Sequence, residues 1–372
     1  MSIKHSKEDI NVDIKLKEIA QSFEIDGDVL SIEPYGEGHI NSTYLLTTTV
    51  CRYILQKINK TVFASPENVM ENIIMVTEFL AEKIKAAGGD TKRETLTVIP
   101  AKDKKSYVLN DGEYYRVYDF IENATSYQVA ETPEVFHSAA CAFGKFQNML
   151  SDFDASKLHE TIKNFHNTKT RYDDFERAVK ENKSGKLESV RAEVEFALER
   201  KKDAGIIVDG IAEGRIPLRV THNDTKLNNV MIDNDTGKGV CVIDLDTVMS
   251  GSLLYDFGDS IRFGTNPASE DEKDLSKVYC DLDLFEKYVE GFLSELSGSI
   301  TKEELELLPI SAKLMTLECG IRFLGDHLNG DTYFKIHREN HNLDRARTQF
   351  KMVADMEEKM DKMMEIVKKC TK

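Results

Sequence analysis

The stretch Thr221-His-Asn-Asp-Thr-Lys-Leu-Asn-Asn-Val-Met-Ile-Asp-Asn-Asp-Thr-Gly-Lys-Gly-Val-Cys-Val-Ile-Asp-Leu-Asp246 decides the fold. Two short apolar runs flank the polar segment 234–239, a pattern typical of a β-hairpin. Because an antiparallel hairpin brings its beginning and its end side by side, we expect Asn229 and Asp244 to lie near one another. The sequence therefore predicts a strand, a polar loop, a hairpin and a further strand over residues 216–246.

An amide oxygen beside a carboxylate is an environment that suits Mg²⁺ when phosphate supplies other ligands. The loop before the hairpin adds Asp224, and the spacing His222-x-Asp224-x-x-x-x-Asn229 is that of phosphoryl-transfer enzymes. Asn and Asp also cap hairpins, and one of them alone would be explained in that way. Together they favour Asp224 as catalytic base and Asn229 and Asp244 as metal ligands, with Asp246 as a second candidate ligand.

The triplet Asp256-Phe-Gly258 has the letters of the metal-binding triplet of protein kinases. It follows the hairpin, however, so the hairpin places Asp244 and not Asp256 opposite Asn229. We interpret Asp256 as a structural acid at a helix N-terminus.

Composition excludes several functional classes. The 372 residues carry 49 Lys and Arg against 65 Asp and Glu, a net charge of −16, which disfavours general binding to nucleic acid or to an anionic membrane. No apolar run approaches the roughly 20 residues that span a bilayer. Scattered cysteines and a polar N-terminus predict a cytoplasmic protein with reduced thiols.

The pattern along the chain predicts an α+β protein. The first 118 or so residues indicate a small antiparallel sheet with one main helix at about 66–86, and the chain turns mostly helical from about residue 132. The segment Gly36-Glu-Gly38-His39-Ile-Asn41 carries two of the three glycines of a kinase phosphate loop. A lone Gly-x-Gly turn is common, and only its position upstream of the Asp224 loop favours this interpretation.

The loop and hairpin motifs together resemble the aminoglycoside phosphotransferase and choline kinase superfamily. The segments 221–231, 243–249, 255–262 and 38–44 resemble more closely the N-acetylhexosamine 1-kinases. The resemblance covers about residues 30–350. It implies a bilobal protein-kinase-like fold, with a nucleotide-binding lobe at 1–118, a hinge at 119–125 and a larger, mostly helical catalytic and substrate-binding lobe at 126–372.

The resemblance also implies ATP and Mg²⁺ as cofactors and transfer of the γ-phosphoryl group to the anomeric hydroxyl of N-acetylglucosamine or N-acetylgalactosamine. We expect a monomer or weak homodimer without nucleic-acid or membrane partners. The alternative is another small-molecule kinase of the same fold, acting on an aminoglycoside, choline or homoserine. The implied sugar contacts are Asp224, Asp259, Arg322 and Tyr333, and the implied nucleotide contacts are Gly36, Gly38, His39, Asn41, Gln56, Lys57, Asp119, Phe120 and Ile121.

One departure concerns the strand Tyr53-Ile-Leu-Gln56-Lys57. Gln56 aligns best where the phosphate-gripping lysine of such kinases usually stands, and Lys57 follows it. Successive residues of a strand point to opposite faces, so only one of the two can face ATP. The sequence leaves that role open between them.

Overall fold

The computed structural model describes residues 7–36, 40–130, 132–296 and 298–371. It divides the chain into two compact units. The first unit comprises Met1–Ala124 and Cys241–Val248, and the second comprises Thr125–Val240 and Met249–Lys372. Gly38 and His39, which the sequence predicts as phosphate-loop residues, lie outside the described residues.

The first unit is an antiparallel sheet with helices. Its elements are α1 (Lys7–Ala20), β1 (Val29–Pro34), β2 (Ser42–Thr48), β3 (Arg52–Lys57), α2 (Pro66–Ala86), α3 (Thr91–Glu94), β4 (Val98–Ile99), β5 (Val108–Asn110) and β6 (Glu113–Asp119). The strand order is β1-β2-β3-β6-β4, and β5 pairs with β6. One core face packs Phe23, Leu46, Leu55 and Val117 against each other. The predicted small sheet with one main helix is confirmed.

Local sequence explains two features of this unit. Pro66 occupies the first turn of α2, where its missing N–H costs nothing, although the hydroxyl of Ser65 makes no capping hydrogen bond. Asp111 and Gly112 both have positive φ, 50° and 74°, as a two-residue turn with the twist of its flanking strands requires. That turn sets the pairing of β5 with β6.

The second unit is mainly helical. Its elements are α4 (Pro133–Met149), α5 (Thr168–Glu181), α6 (Arg191–Glu199), α7 (Ile206–Ala212), β8 (Arg219–Thr221), β9 (Val230–Asp233), β11 (Met249–Gly251), α8 (Leu253–Gly264), α9 (Leu282–Glu295), α10 (Lys302–Asn329) and α11 (His341–Cys370). The boundary between the units passes through β7 (Ala124–Thr125) and through β10 (Gly239–Val242). The long helix α10 packs against α5, α8 and α11, around a core that includes Phe175, Leu317, Ile321 and Phe350.

One sequence prediction is corrected here. The strand predicted to continue to Asp246 ends at Val242, and Asp244 takes a left-handed conformation before a single 3-10 turn, Leu245–Thr247. Helix α8 is the helix at whose N-terminus Asp256 was placed, and ten of its twelve residues, Leu253–Arg262, are buried.

A buried ion pair anchors β8, the strand that leads into the Asp224 loop. Arg219 Nε lies 2.6 Å from Glu304 Oε1, and Nη2 lies 2.8 Å from Oε2. Glu304 also closes a capping box with Thr301 at the start of α10. The strand and the long helix are thereby fixed to each other at one point.

No helix in the part of the chain that the structure describes is both long enough and apolar enough to cross a membrane.

Candidate active site

The loop that follows β8 in the second unit is held by Asp256, in the first turn of α8. Its carboxylate accepts hydrogen bonds from His222 N at 2.9 Å and Asn223 N at 2.8 Å. Gln147 Nε2 donates to the same group at 2.6 Å. Burial raises the pKa of Asp256, and the hydrogen bonds from these donors offset only part of that rise. The interpretation of Asp256 as a structural acid at a helix N-terminus is confirmed.

Asp224, the predicted catalytic base, lies in this loop with its side chain 25% exposed. Lys226 Nζ lies 2.8 Å from Asp224 Oδ1. Asn229 Nδ2 donates to the backbone oxygen of Asp224 at 2.8 Å and to Oδ2 at 3.2 Å. The structure therefore brings Asp224 and Asn229 into direct contact, and both hydrogen bonds of the Asn229 amide use its nitrogen.

Lys226 was missed in the sequence, although it stands two residues after the base. Burial tends to lower the pKa of Lys226, but the carboxylates of Asp224 and Asp259 outweigh it, so the pKa is raised. The ammonium therefore stays protonated throughout the physiological range. A fixed positive charge consequently accompanies the predicted base.

Asp259, a predicted sugar contact, also reaches this loop. Its Oδ2 accepts a hydrogen bond from Thr225 N at 3.2 Å, and its Oδ1 accepts one from Arg262 Nε at 2.9 Å. Burial alone raises the pKa of Asp259, but Arg262 and Lys226 outweigh it and hold that pKa below its usual value. Arg262 was also missed, and its spacing of three residues from Asp259 on a helix is the signal that would have revealed it.

The other two predicted sugar contacts line a cavity of about 350 Å³ in the second unit. The guanidinium of Arg322 lies over the rings of Phe165 and Phe334, 5.5 and 5.6 Å from their centroids. Tyr333 is 69% exposed. Neither Asp224 nor Asp259 is among the described residues that line this cavity.

In the first unit, two of the predicted nucleotide contacts, Gln56 and Asn41, belong to one hydrogen-bonded chain. Gln56 Nε2 donates to Thr43 Oγ1 at 2.9 Å. Asn41 Nδ2 donates to Asp246 Oδ2 at 2.5 Å, and Asn41 Oδ1 accepts from Asn59 N at 3.0 Å. Gly36 has a φ of 74°, a left-handed conformation that favours glycine.

Arg116 completes this chain and was not foreseen. On β6 it stands directly across from Gln56 on β3. Its Nε and Nη2 donate to Gln56 Oε1 at 3.0 and 2.8 Å, and its Nη1 pairs with Asp246 Oδ1. Burial lowers the pKa of Arg116, but Asp246 and further neighbours, Asp244 among them, outweigh it and raise that pKa. Gln56, the neighbour of Lys57 on β3, therefore uses its amide oxygen to hold the buried guanidinium of Arg116 on β6.

The predicted hinge begins at the end of β6. Asp119 N donates to Thr97 O at 3.0 Å and Phe120 N donates to Arg52 O at 3.2 Å. The Arg52 guanidinium lies 4.1 Å from the centroid of the Phe120 ring, and Ile121 is buried. The N–H groups of Asp119 and Phe120 are thus engaged within the first unit.

The residues predicted to bind Mg²⁺ have chemistry that fits the ion. Asp244 supplies a carboxylate in the first unit, at a turn where its φ of 59° is left-handed. Asn229 supplies an amide oxygen in the second unit, since its nitrogen is turned toward Asp224. Carboxylate and amide oxygens are ligands that Mg²⁺ accepts.

Comparison with known families identifies the wider group. A profile described as the phosphotransferase enzyme family matches residues 31–287. The chain belongs to this phosphotransferase enzyme family. The match includes both the Asp224 loop and the Asp244 turn.

Solved structures confirm the protein-kinase-like fold that the resemblance implies for this phosphotransferase. An aminoglycoside phosphotransferase from Alicyclobacillus acidocaldarius aligns with a TM-score of 0.60 at 12% identity, covering 95% of each chain. A microcompartment-associated aminopropanol kinase aligns at 0.58 and 15% identity, covering 94% of this chain and 98% of the other. A choline/ethanolamine kinase family protein from Mesorhizobium loti aligns at 0.55 and 16% identity, covering 95% and 99%. At such identities, the likeness concerns the fold.

Proposed function

We propose that this phosphotransferase transfers the γ-phosphoryl group of ATP to the anomeric hydroxyl of an N-acetylhexosamine, giving the sugar 1-phosphate. Asp224 accepts the proton of the acceptor hydroxyl, and Lys226 and Asn229 orient its carboxylate. Asn229 and Asp244 are the proposed ligands of Mg²⁺, which when bound supplies charge neutralisation at the phosphates. Most of the acceleration then comes from alignment and charge neutralisation, with a smaller part from the base.

The charges around the Asp224 loop favour a neutral acceptor. Asp224 is in contact with Lys226 at 2.8 Å, and Asp259 is in contact with Arg262 at 2.9 Å. An ammonium-bearing acceptor would need a carboxylate whose charge is still available, and both of these already have cations. A neutral polyhydroxylated acceptor requires only hydrogen bonds, which the same groups can donate and accept.

Three further residues have proposed roles at the acceptor. Asp259, held by Arg262, accepts hydrogen bonds from sugar hydroxyls. Arg322 and Tyr333 contact the acetamido group or the ring. An exposed tyrosine ring can form an apolar wall beside a sugar, so the absence of tryptophan is no obstacle.

The test is an ADP-release assay across N-acetylglucosamine, N-acetylgalactosamine, glucosamine, galactose, kanamycin and choline, with phosphorus NMR to locate the new phosphate. We expect turnover with the acetylated sugars and phosphate at C1. Glucosamine is the matched control because it keeps the ring and adds an ammonium group, so we expect it to react more slowly. Phosphate at C6, or turnover with the amines alone, would overturn the proposal.

A further inference from the structure

Arg116 has the largest fully buried side chain among the described residues. Burying a charge is costly unless it is paired and hydrogen-bonded. The sheet register explains how the cost is met, because Gln56 faces Arg116 across β3 and β6 and accepts from two of its nitrogens. The remaining terminal nitrogen, Nη1, is directed to Asp246.

The carboxylate of Asp246 is engaged at both oxygens. Oδ1 pairs with Arg116 and Oδ2 accepts from Asn41 Nδ2 at 2.5 Å. The side chain is only 3% exposed. A divalent cation on either oxygen would stand beside the fixed charge of Arg116, so its binding there would be opposed by electrostatic repulsion.

The backbone between these groups needs support. Asp244 adopts φ 59° and ψ 57°, a left-handed conformation that costs a non-glycine residue roughly 1–3 kcal/mol and persists when the surroundings hold it. Asp246 follows two residues later, with the fully buried Leu245 between them. At the far end of the turn, Asn72 Nδ2 donates to Val248 O at 2.9 Å. The turn is therefore held at two points after Leu245, at Asp246 and at Val248.

We propose that Arg116 is a positioning residue for the Asp244 turn, and that Asp246 anchors this turn to Arg116 and does not bind Mg²⁺ itself. This inference rests on the proposed use of Mg²⁺ and nucleotide but not on the identity of the acceptor. Stability alone does not account for the buried pair of Arg116 and Asp246, since apolar residues of similar volume are often as stabilising as such a pair. Positioning of the Asp244 turn does account for it. Of the two carboxylates in this turn, that of Asp244 is then the metal ligand.

Calorimetric titration of ADP at a series of Mg²⁺ concentrations tests the proposal without any acceptor. Removing a group that orients a metal ligand usually costs about 10- to 100-fold in metal affinity. We therefore expect Arg116→Met to raise the Mg²⁺ concentration that gives half-maximal ADP binding by about 10- to 100-fold. Arg116→Lys should fall between wild type and Arg116→Met, because an ammonium cannot hold Gln56 and Asp246 together in a fork. ADP affinity without Mg²⁺ should fall by a smaller factor than this, whereas a general loss of structure would abolish ADP binding with and without Mg²⁺.

The double variant Arg116→Met with Asp246→Leu separates an anchor from a ligand. If Asp246 acts through Arg116, the double variant needs no more Mg²⁺ than Arg116→Met alone, and it unfolds at a higher temperature because no charge is left buried and unpaired. The proposal is overturned if Asp246→Asn raises the Mg²⁺ concentration for half-maximal ADP binding more than Arg116→Met does. It is also overturned if the effects of the two changes on that concentration add. It is equally overturned if folded Arg116→Met or Arg116→Lys keeps the wild-type Mg²⁺ dependence. A failure of the sugar assignment would appear separately, in the acceptor panel.

Discussion

Replacing Asp224 by Asn should separate activity from stability. The carboxamide has the shape of the carboxylate and can still meet Asn229, but it cannot accept the acceptor proton. We expect kcat to fall about 10²- to 10⁴-fold, the usual contribution of a general base. At 1.36 kcal/mol per decade, that is roughly 3–5 kcal/mol of barrier.

The structural cost of the same change is small. The Asp224–Lys226 pair spans 2.8 Å, but its side chains are 25% and 36% exposed. Ion pairs with this degree of solvent contact contribute about 0–1 kcal/mol. We therefore expect the melting temperature to shift by less than about 4 °C, while ADP affinity with Mg²⁺ stays close to that of wild type.

Steady-state kinetics, calorimetry with ADP and thermal unfolding check this prediction on one preparation. Asp173→Asn is the matched control, because Asp173 is an exposed acid of α5 in the same unit, and it should leave every parameter unchanged. Turnover of Asp224→Asn within about 10-fold of wild type would refute the role of Asp224 as base. A fall in kcat matched by a large loss of melting temperature would instead mean that the residue supports the loop.

Three further changes test other parts of the structure. Glu304→Gln should cost about 3–5 kcal/mol of unfolding free energy in urea, because it leaves Arg219 buried without its partner charge, whereas Arg219→Met with Glu304→Leu should cost less. Gly258→Ala should destabilise by about 1–3 kcal/mol, since a Cβ there meets Met315 Cγ at 2.5 Å and Ser311 O at 2.6 Å, while the control Gly325→Ala, with its nearest atom at 3.7 Å, should be neutral or stabilising. Asp259→Asn should make stability less sensitive to acid: Asp259 has a depressed pKa, so its contribution is present above the ordinary value of 3.8 and is lost as the pH falls below it. Urea midpoints that show the same acid dependence for Asp259→Asn and wild type would contradict that prediction.

The sequence predicted the Asp224 loop and the bounds of α2 because those signals are local. A hairpin needs only its apolar strands and turn, and α2 begins at Pro66 as its first-turn proline indicates. The left-handed Asp244 was not foreseen, since a predicted strand ran through it. Its conformation depends on contacts that the neighbouring residues do not reveal.

Arg116 shows why part of the candidate site could not be predicted. It lies 60 positions from Gln56 and 130 from Asp246. The register of β3 with β6 brings it to Gln56, and the inclusion of Cys241–Val248 in the first unit brings it to Asp246. A single arginine in a strand that also contains three tyrosines gives no chemical signal of its own.

The first unit is built from two separate segments of the chain, and this has a consequence for its synthesis on the ribosome. Its sheet is encoded before residue 125, yet the unit also includes Cys241–Val248, and the acid that pairs with Arg116 is Asp246. A nascent chain that has emerged only to residue 124 therefore carries an arginine destined for the interior without the acid that neutralises it. The first unit can reach its final packing only after translation has passed residue 248, and a fragment that ends at Ala124 should be prone to proteolysis and aggregation.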